Sequence, residues 1–507
     1  MPTILRAARA NLLLTPTGTA LAVIASILVV RWLGPETYAD YATLLALLSW
    51  LLLLAESGCN VGLGRFLSEA EAVDARGSLY WKLQFRRWGL ALILTLLLVW
   101  LGPHWAKASG LPSERWSSTS FALIGLLAAV MLHGQLASSA MLTSFRHGRL
   151  LLMGQSMTIV RALMLGLLAG IIREPLALVS ALLALAVIEA VVLHYTATAA
   201  FRKERTRLPS GMANAAQAHG LVALFDKLTT ALSGGPFLLL VLAGIHGRVE
   251  LAILAVATDL LQKALSVIGL PISNLVLPML NASRGDDARY RHQIARLGGL
   301  VTTLFAVAVG GIATAIPLGL PLLLGPSYSA TVPVAMIWLL PLFFESGVRM
   351  IWGVVLLTLG QYRWLMVFNL IYGAISLMII FFMRDMASLT TLLLSLGILR
   401  IFMSLILLGR SARLKMLPPA SRPVGIILAA GVACVFALGV QALLATGYPM
   451  LQLSIGVGVY AVVMLTFLRW LPLIPQPSYE ALCQIAGKYR NLLVHIIPQS
   501  VKESRSA

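Results

Sequence analysis

Cysteine is scarce: three in 507 residues, Cys59, Cys434 and Cys483. None has a CxxC neighbour or a histidine at ligand spacing, which excludes a disulfide framework and a structural metal. Charge is scarce too, at 11% of residues against 59% apolar. Acids are the scarcer sign, 19 against 38 bases, for a net charge of +19. No GxxxxGK[ST] loop occurs, so no Walker-type nucleotide site drives this protein, and no cofactor is expected. No aromatic-plus-basic module of the kind that stacks bases accompanies the positive charge, so nucleic acid is not an expected partner. Also missing is any polar stretch long enough for a sizeable soluble domain.

What fills the chain is a ladder of apolar runs. The first three are Leu12–Arg31, Tyr41–Arg65 and Trp88–Trp105, the seventh is Leu221–Ile245, and the last is Leu453–Leu471. Each is roughly 18–27 residues, enough to cross a ~30 Å hydrocarbon core. The expected fold is all-α and polytopic, with about fourteen transmembrane helices. The first run lacks a small-residue cleavage site and is long enough to span, so it is expected to stay as a helix.

Lys and Arg alternate between connections. With the N-terminus inside, even-numbered connections carry Arg76, Lys82, Arg86, Arg87, Arg146, Arg149, Arg202, Lys203, Arg205 and Arg207, among others. Odd connections carry only Arg31, Lys107, Arg115, Arg173, Arg248 and Arg384. The bias of roughly four to one places both termini in the cytoplasm. Excess positive charge can also meet anionic membrane lipids.

Two blocks of six runs emerge, Leu12–Ala200 and Leu221–Leu408, joined by the basic loop Phe201–Gly211. The expected organisation is an N-terminal lobe over 1–205, a C-terminal lobe over 206–415 and two further helices over 416–475. A cytoplasmic tail over 476–507 follows, with an amphipathic helix from Ser478 to Ile497. In that helix Leu482, Ile485, Tyr489, Leu493 and Ile496 share a face, suited to a membrane surface or to the protein's own loops. The clearest internal echo is Leu33-Gly34-Pro35 with Tyr38 against Leu324-Gly325-Pro326 with Tyr328. It reads as shared turn chemistry rather than a half-to-half repeat.

Within the runs lie the cations Arg65, Arg161, Lys227, Lys263, Arg349 and Arg400, and the acids Glu56, Glu189, Asp226, Asp259 and Glu345. A charge at the bilayer centre costs roughly 2.5–3.5 kcal/mol even on lenient scales, so each needs a partner or a wet cavity. Asp259–Lys263 and Glu345–Arg349 are spaced to pair on one helix face, acid first. Arg161 and Arg400 have no acid three or four residues away. Either each finds an acid on another helix, or both hold an anion with the planar donor fork of guanidinium. Arg65 and Lys227 lie nearer helix ends and could snorkel. Arg161, Arg400, Lys227, Lys263, Arg349 and Arg65 are therefore the candidate substrate contacts, and Asp226, Asp259 and Glu345 the candidates for ion coupling.

The segment Arg31–Glu71 carries Arg31, Leu33, Gly34, Pro35 and Tyr38, then Gly58, Gly62, Gly64, Arg65, Glu69 and Glu71. It resembles the start of polysaccharide repeat-unit flippases, the O-antigen and exopolysaccharide translocases of the multidrug/oligosaccharidyl-lipid/polysaccharide exporter superfamily. Leu322–Tyr328 and the basic turn Phe145-Arg146-His147-Gly148-Arg149 match the same family in order and spacing.

The resemblance implies two six-helix lobes around a cationic cavity open alternately to each side. It also implies an undecaprenyl-pyrophosphate-linked oligosaccharide as substrate, the bacterial inner membrane as location, and a polysaccharide polymerase and chain-length regulator as partners. Three rivals stand beside it. A drug/cation antiporter of the same superfamily commonly places an acid in its first helix, and Leu12–Val30 has none. A peptidoglycan lipid II flippase is closer in chemistry. A membrane glycosyltransferase or polymerase needs large external loops, and the longest here is about Gly102–Trp116.

Overall fold

A computed structural model describes residues 2–483 apart from 72–73, 113–114, 144–146, 200–205, 283–286, 385–387, 415–420, 445–447, 472–473, 475–477 and 481–482. Most of the expected tail helix, part of the basic hinge and the turn at residues 145–146 lie outside the described residues. No strand occurs among those described. In chain order the helices are α1 (Pro2–Glu56), α2 (Cys59–Glu71), α3 (Arg76–Ala108), α4 (Ser118–Thr143), α5 (His147–Ile172), α6 (Pro175–Thr198), α7 (Met212–Ala231) and α8 (Gly235–Leu242). They continue as α9 (Arg248–Ala282), α10 (Asp287–Leu324), α11 (Thr331–Phe343), α12 (Met350–Thr358), α13 (Tyr362–Met383), α14 (Leu389–Arg413), α15 (Ser421–Leu443) and α16 (Pro449–Trp470).

Eleven helices among the described residues are long and apolar enough to cross a membrane, against the fourteen runs of the sequence. Part of the difference has local causes. The first two runs join in α1, which is broken only at Gly34, with φ 73° and ψ 167°. The helix resumes at once because Pro35 is suited to a first-turn position that needs no amide donor. The seventh run splits into α7 and α8 at Leu232–Gly234, where Pro236 opens the new helix. Leu-Gly-Pro acts the same way later on. Gly325 adopts φ 97° and ψ 167°, and Pro326 starts a short 3₁₀ turn to Tyr328. Both glycines occupy a backbone region essentially closed to other residues. The echo between the two segments is therefore shared turn chemistry.

The chain falls into two compact units. The first comprises Met1–Leu260 and Met366–Leu392, and the second Leu261–Leu365 and Leu393–Ala507. In the first, α1 packs on α5, α4 and α8, α4 lies against both α3 and α6, and α2 lies against α7. Leu63, Leu67, Leu79, Tyr80, Leu83 and Leu136 form one of its apolar clusters. Lipid is as apolar as leucine, so helix association rests on close packing at small residues. That is seen where α2 meets α7: a Cβ on Gly58 would overlap the Gly220 backbone, and one on Gly62 would overlap Ala216.

The second unit is built on α10, which packs against α11, α12, α15 and α16. Tyr460 of α16 donates to the Val307 carbonyl at 2.7 Å. Its ring fills the space left by Gly310. Gln441 of α15 donates to the Thr314 carbonyl at 3.3 Å and accepts, on its backbone carbonyl, the Gln452 amide at 2.5 Å. These polar ties satisfy side chains that lipid would leave stranded.

Candidate functional site

The second unit holds Arg400. Its helix, α14, approaches α11 at Gly397, where a Cβ would sit 2.7 Å from Pro341 Cγ. One turn further along α14, and one turn back along α11, Arg400 meets Trp338. The guanidinium carbon stands 4.2 Å from the indole centroid. Arg400 Nη1 donates to Glu345 Oε2 at 2.6 Å, and the Arg400 side chain is 3% exposed. Glu345 sits in a π-helical turn, Phe344–Arg349, between α11 and α12. Such single turns are common at functional sites because they rotate one side chain out of the regular register. The result is a guanidinium held between a carboxylate and an aromatic face, an oxyanion site with its anion supplied by the protein.

The first unit holds Arg161 on α5. It forms an ion pair with Glu189 of α6, with side chains 27% and 22% exposed. Both central arginines thus find acids on other helices, and neither is the isolated cation that local spacing indicates. Lys227 of α7 also has a partner. Its ammonium donates to Glu56 Oε1 at 2.9 Å and Oε2 at 3.0 Å. Arg65 on α2 is exposed. It lies 3.2 Å from His219 Nδ1 of α7, with its guanidinium 5.5 Å from the Phe66 ring. Lys263 and Asp259 lie one turn apart on α9, and Arg349 ends the π-helical turn that holds Glu345. The Asp226 side chain lies outside the described residues.

Three functional candidates are invisible to sequence spacing. Asp40, buried within α1, accepts from Arg115 Nη1 at 2.7 Å and lies 3.8 Å from Arg248 Nη1. Arg115 lies in the turn before α4 and Arg248 opens α9, so a buried acid ties a loop to the start of a helix. The charge pattern assigns Arg86 and Arg87 to a connection, but α3 starts at Arg76, about three turns before the apolar run at Trp88. This corrects the boundary: polar residues can open a membrane helix when protein covers them. Arg86 donates to the Ala213 carbonyl at 3.1 Å, Gln217 Oε1 at 2.8 Å and Asn214 Oδ1 at 2.5 Å, fixing the first turns of α7. Arg87 is fully buried and donates from Nη1 to Asn60 Oδ1 at 3.0 Å.

With this fold and these paired charges in place, comparison gives the class. The model of the family described as polysaccharide biosynthesis protein matches residues 5–284, more than half of the chain, and the protein belongs to that family. Its fold is similar to that of "Lipid II flippase MurJ, inward closed conformation". That match has a TM-score of 0.65 and 12% identity, covering 90% of this chain and 97% of the other. It is also similar to a point mutant of a MATE protein, at TM-score 0.59 and 13% identity over 81% and 96% of the two chains. A point mutant of the Vibrio cholerae MATE transporter VcmN matches at TM-score 0.56 and 14% identity over 82% and 98%. No curated protein matches by sequence. The protein is a multi-pass membrane protein of that family, with a fold similar to those of these solved structures.

Proposed function

We propose that the protein is a flippase moving undecaprenyl-pyrophosphate-linked oligosaccharide repeat units across the bacterial inner membrane, from the cytoplasmic to the periplasmic leaflet, for surface polysaccharide synthesis. The observation that carries this reading is the polysaccharide-biosynthesis family match on an exporter-type fold. In this reading Arg400 and Arg161 are the central anion contacts, supported by Lys227, Lys263, Arg349 and Arg65. Glu345 and Glu189 occupy the guanidinium groups in the state described. A pyrophosphate competes for those same donors, and the freed carboxylates become available to couple the step to a cation. Asp226 and Asp259 are the further acids assigned to coupling.

Binding must stay moderate, because the headgroup has to leave. A carboxylate that returns to the arginine supplies the differential affinity an alternating-access cycle needs. Export of a pyrophosphate moves about two negative charges outward, and an inside-negative potential of ~100 mV favours this by about 2.3 kcal/mol per charge. Both termini and the Phe201–Gly211 loop are cytoplasmic in this reading. A polysaccharide polymerase and a chain-length regulator are its protein partners.

The test is surface polysaccharide in a host deleted for its own flippase, with protein abundance measured alongside. The wild-type chain restores export. Failure to restore it, combined with rescue of a host lacking its lipid II flippase, would move the assignment to peptidoglycan precursor.

A further inference from the structure

Arg87 of the first unit is fully buried, and its Nη1 is partnered by the Asn60 side chain. The Nε and Nη2 atoms, which together form the side-on edge that takes a carboxylate in two parallel hydrogen bonds, have no partner among the described residues. Gln84, one turn earlier on α3 and also fully buried, has neither amide atom partnered among them. These atoms form a polar layer between two apolar clusters, one containing Leu83 and Leu136 and the other Ala91 and Leu132. Leaving a charged group short of hydrogen bonds in such a place is costly, so the edge is expected to have a use.

A carboxylate with the freedom to fill it is Glu56, four residues before Asn60. The chain that follows it reaches Arg87 at once, through the Asn60 side chain. Glu56 ends α1 immediately before a sharp break, where Ser57 has φ 43° and Gly58 has φ 73°. Gly58 rests backbone to backbone on Gly220 of α7, and Lys227, Glu56's present partner, lies two turns further along that helix. A shift of α7 about that glycine contact stretches the Glu56–Lys227 pair first.

We propose that Glu56 has two seats, Lys227 in the state described and the Nε/Nη2 edge of Arg87 in another, so that Arg87 is a positioning residue that keeps the α1–α2 joint neutralised while α7 moves. Asn60 and Gln84 complete the second seat. Asn60 holds Nη1, and the Gln84 amide, one turn away on α3, donates a further hydrogen bond to the seated carboxylate. The proposal rests on the transporter reading only for the purpose of the motion.

The test uses the purified full-length protein and needs no substrate, so it stands apart from the export assay. Lys227 is 45% exposed, and K227M removes the first seat with little disturbance of packing. Apparent melting temperature is then compared between K227M and K227M/E56Q. If Glu56 has reseated on Arg87, neutralising it breaks a buried ion pair, and E56Q lowers the melting temperature by several degrees. If no second seat exists, Glu56 in K227M is a stranded buried carboxylate, and E56Q leaves the melting temperature unchanged or raises it, which overturns the proposal. A second comparison fixes the identity of the seat. In K227M/R87K the fork edge is gone but a charge remains, and the loss caused by E56Q shrinks by at least half. An undiminished loss there would assign the seat to a group other than Arg87.

Discussion

Arg400 and Arg161 occupy similar places in apolar runs, yet their surroundings differ. Arg400 is 3% exposed, hydrogen-bonded to Glu345 and stacked on Trp338. Arg161 keeps 27% of its side chain exposed and is met by Glu189 alone among its described contacts. The first arrangement has an apolar wall that strengthens the pair and resists exchange. The second is open on one side and adapts to a ligand with less reorganisation. The difference teaches that a guanidinium in a membrane helix can be either part of the packing or part of a surface. Enclosure by neighbouring side chains, not position along the helix, decides which.

The largest expected effect comes from breaking the buried pair on one side only. Arg400→Ala takes from Glu345 its hydrogen-bond partner and uncovers Trp338, at a cost of about 3–5 kcal/mol for a buried pair. Arg400→Met with Glu345→Met recovers most of that, because the desolvation of both charges disappears together. Thermal unfolding of the purified variants checks both statements. Arg161→Ala is expected to cost about 1 kcal/mol, in the range of exposed pairs. An equal loss for the two alanine variants would break the comparison and show that Arg161 faces lipid rather than water. Export activity divides differently: each alanine variant loses most of it, and each lysine variant keeps a part, since charge survives but the fork does not.

Next in size is the joint between α2 and α7. Gly58→Ala places a Cβ inside the Gly220 backbone and forces a left-handed conformation on alanine. Together these cost about 3 kcal/mol. Gly397→Ala in the second unit meets only the ring of Pro341. It is expected to cost about 1–2 kcal/mol. Its sharper consequence is to push α14 off α11, lengthening the Arg400–Trp338 contact. Loss of export in Gly397→Ala without loss of protein from the membrane would show that the indole contact matters for function and not only for packing.

How much of this is legible in sequence follows from the reach of each interaction. The Leu-Gly-Pro turns at Gly34 and Gly325 are readable because glycine and proline act within three residues. The apolar runs mark the helices because hydropathy is a local sum. The same sum misplaces the start of α3, since Arg86 and Arg87 are covered by Asn60, Asn214 and Gln217 from other helices. The partners of Arg161 and Arg400 lie 28 and 55 residues away, beyond any helical spacing rule. Asp40 escapes notice because Arg115 and Arg248, which meet it, are far off in the chain. Local chemistry is therefore visible, and neutralisation across helices is not.

Asp40→Asn gives the smaller effect that tests this last point. Asp40 is 2% exposed, but Arg115 and Arg248 keep 44% and 33% of their side chains exposed. Removing the acid therefore leaves two arginines that solvent can still reach, not a stranded buried cation. The loss is one charge-assisted hydrogen bond at 2.7 Å and a weaker attraction at 3.8 Å. Asparagine keeps an acceptor oxygen at the same place, so the expected cost is about 1–2 kcal/mol. It should be read as a small drop in melting temperature together with faster proteolysis near residues 115 and 248. Added salt should weaken the wild-type clamp toward the variant, because its cations are exposed to screening. It should leave the Arg400–Glu345 pair, enclosed by Trp338, nearly unchanged. If salt moved both pairs equally, the distinction between an enclosed guanidinium and an open one would lose its physical basis.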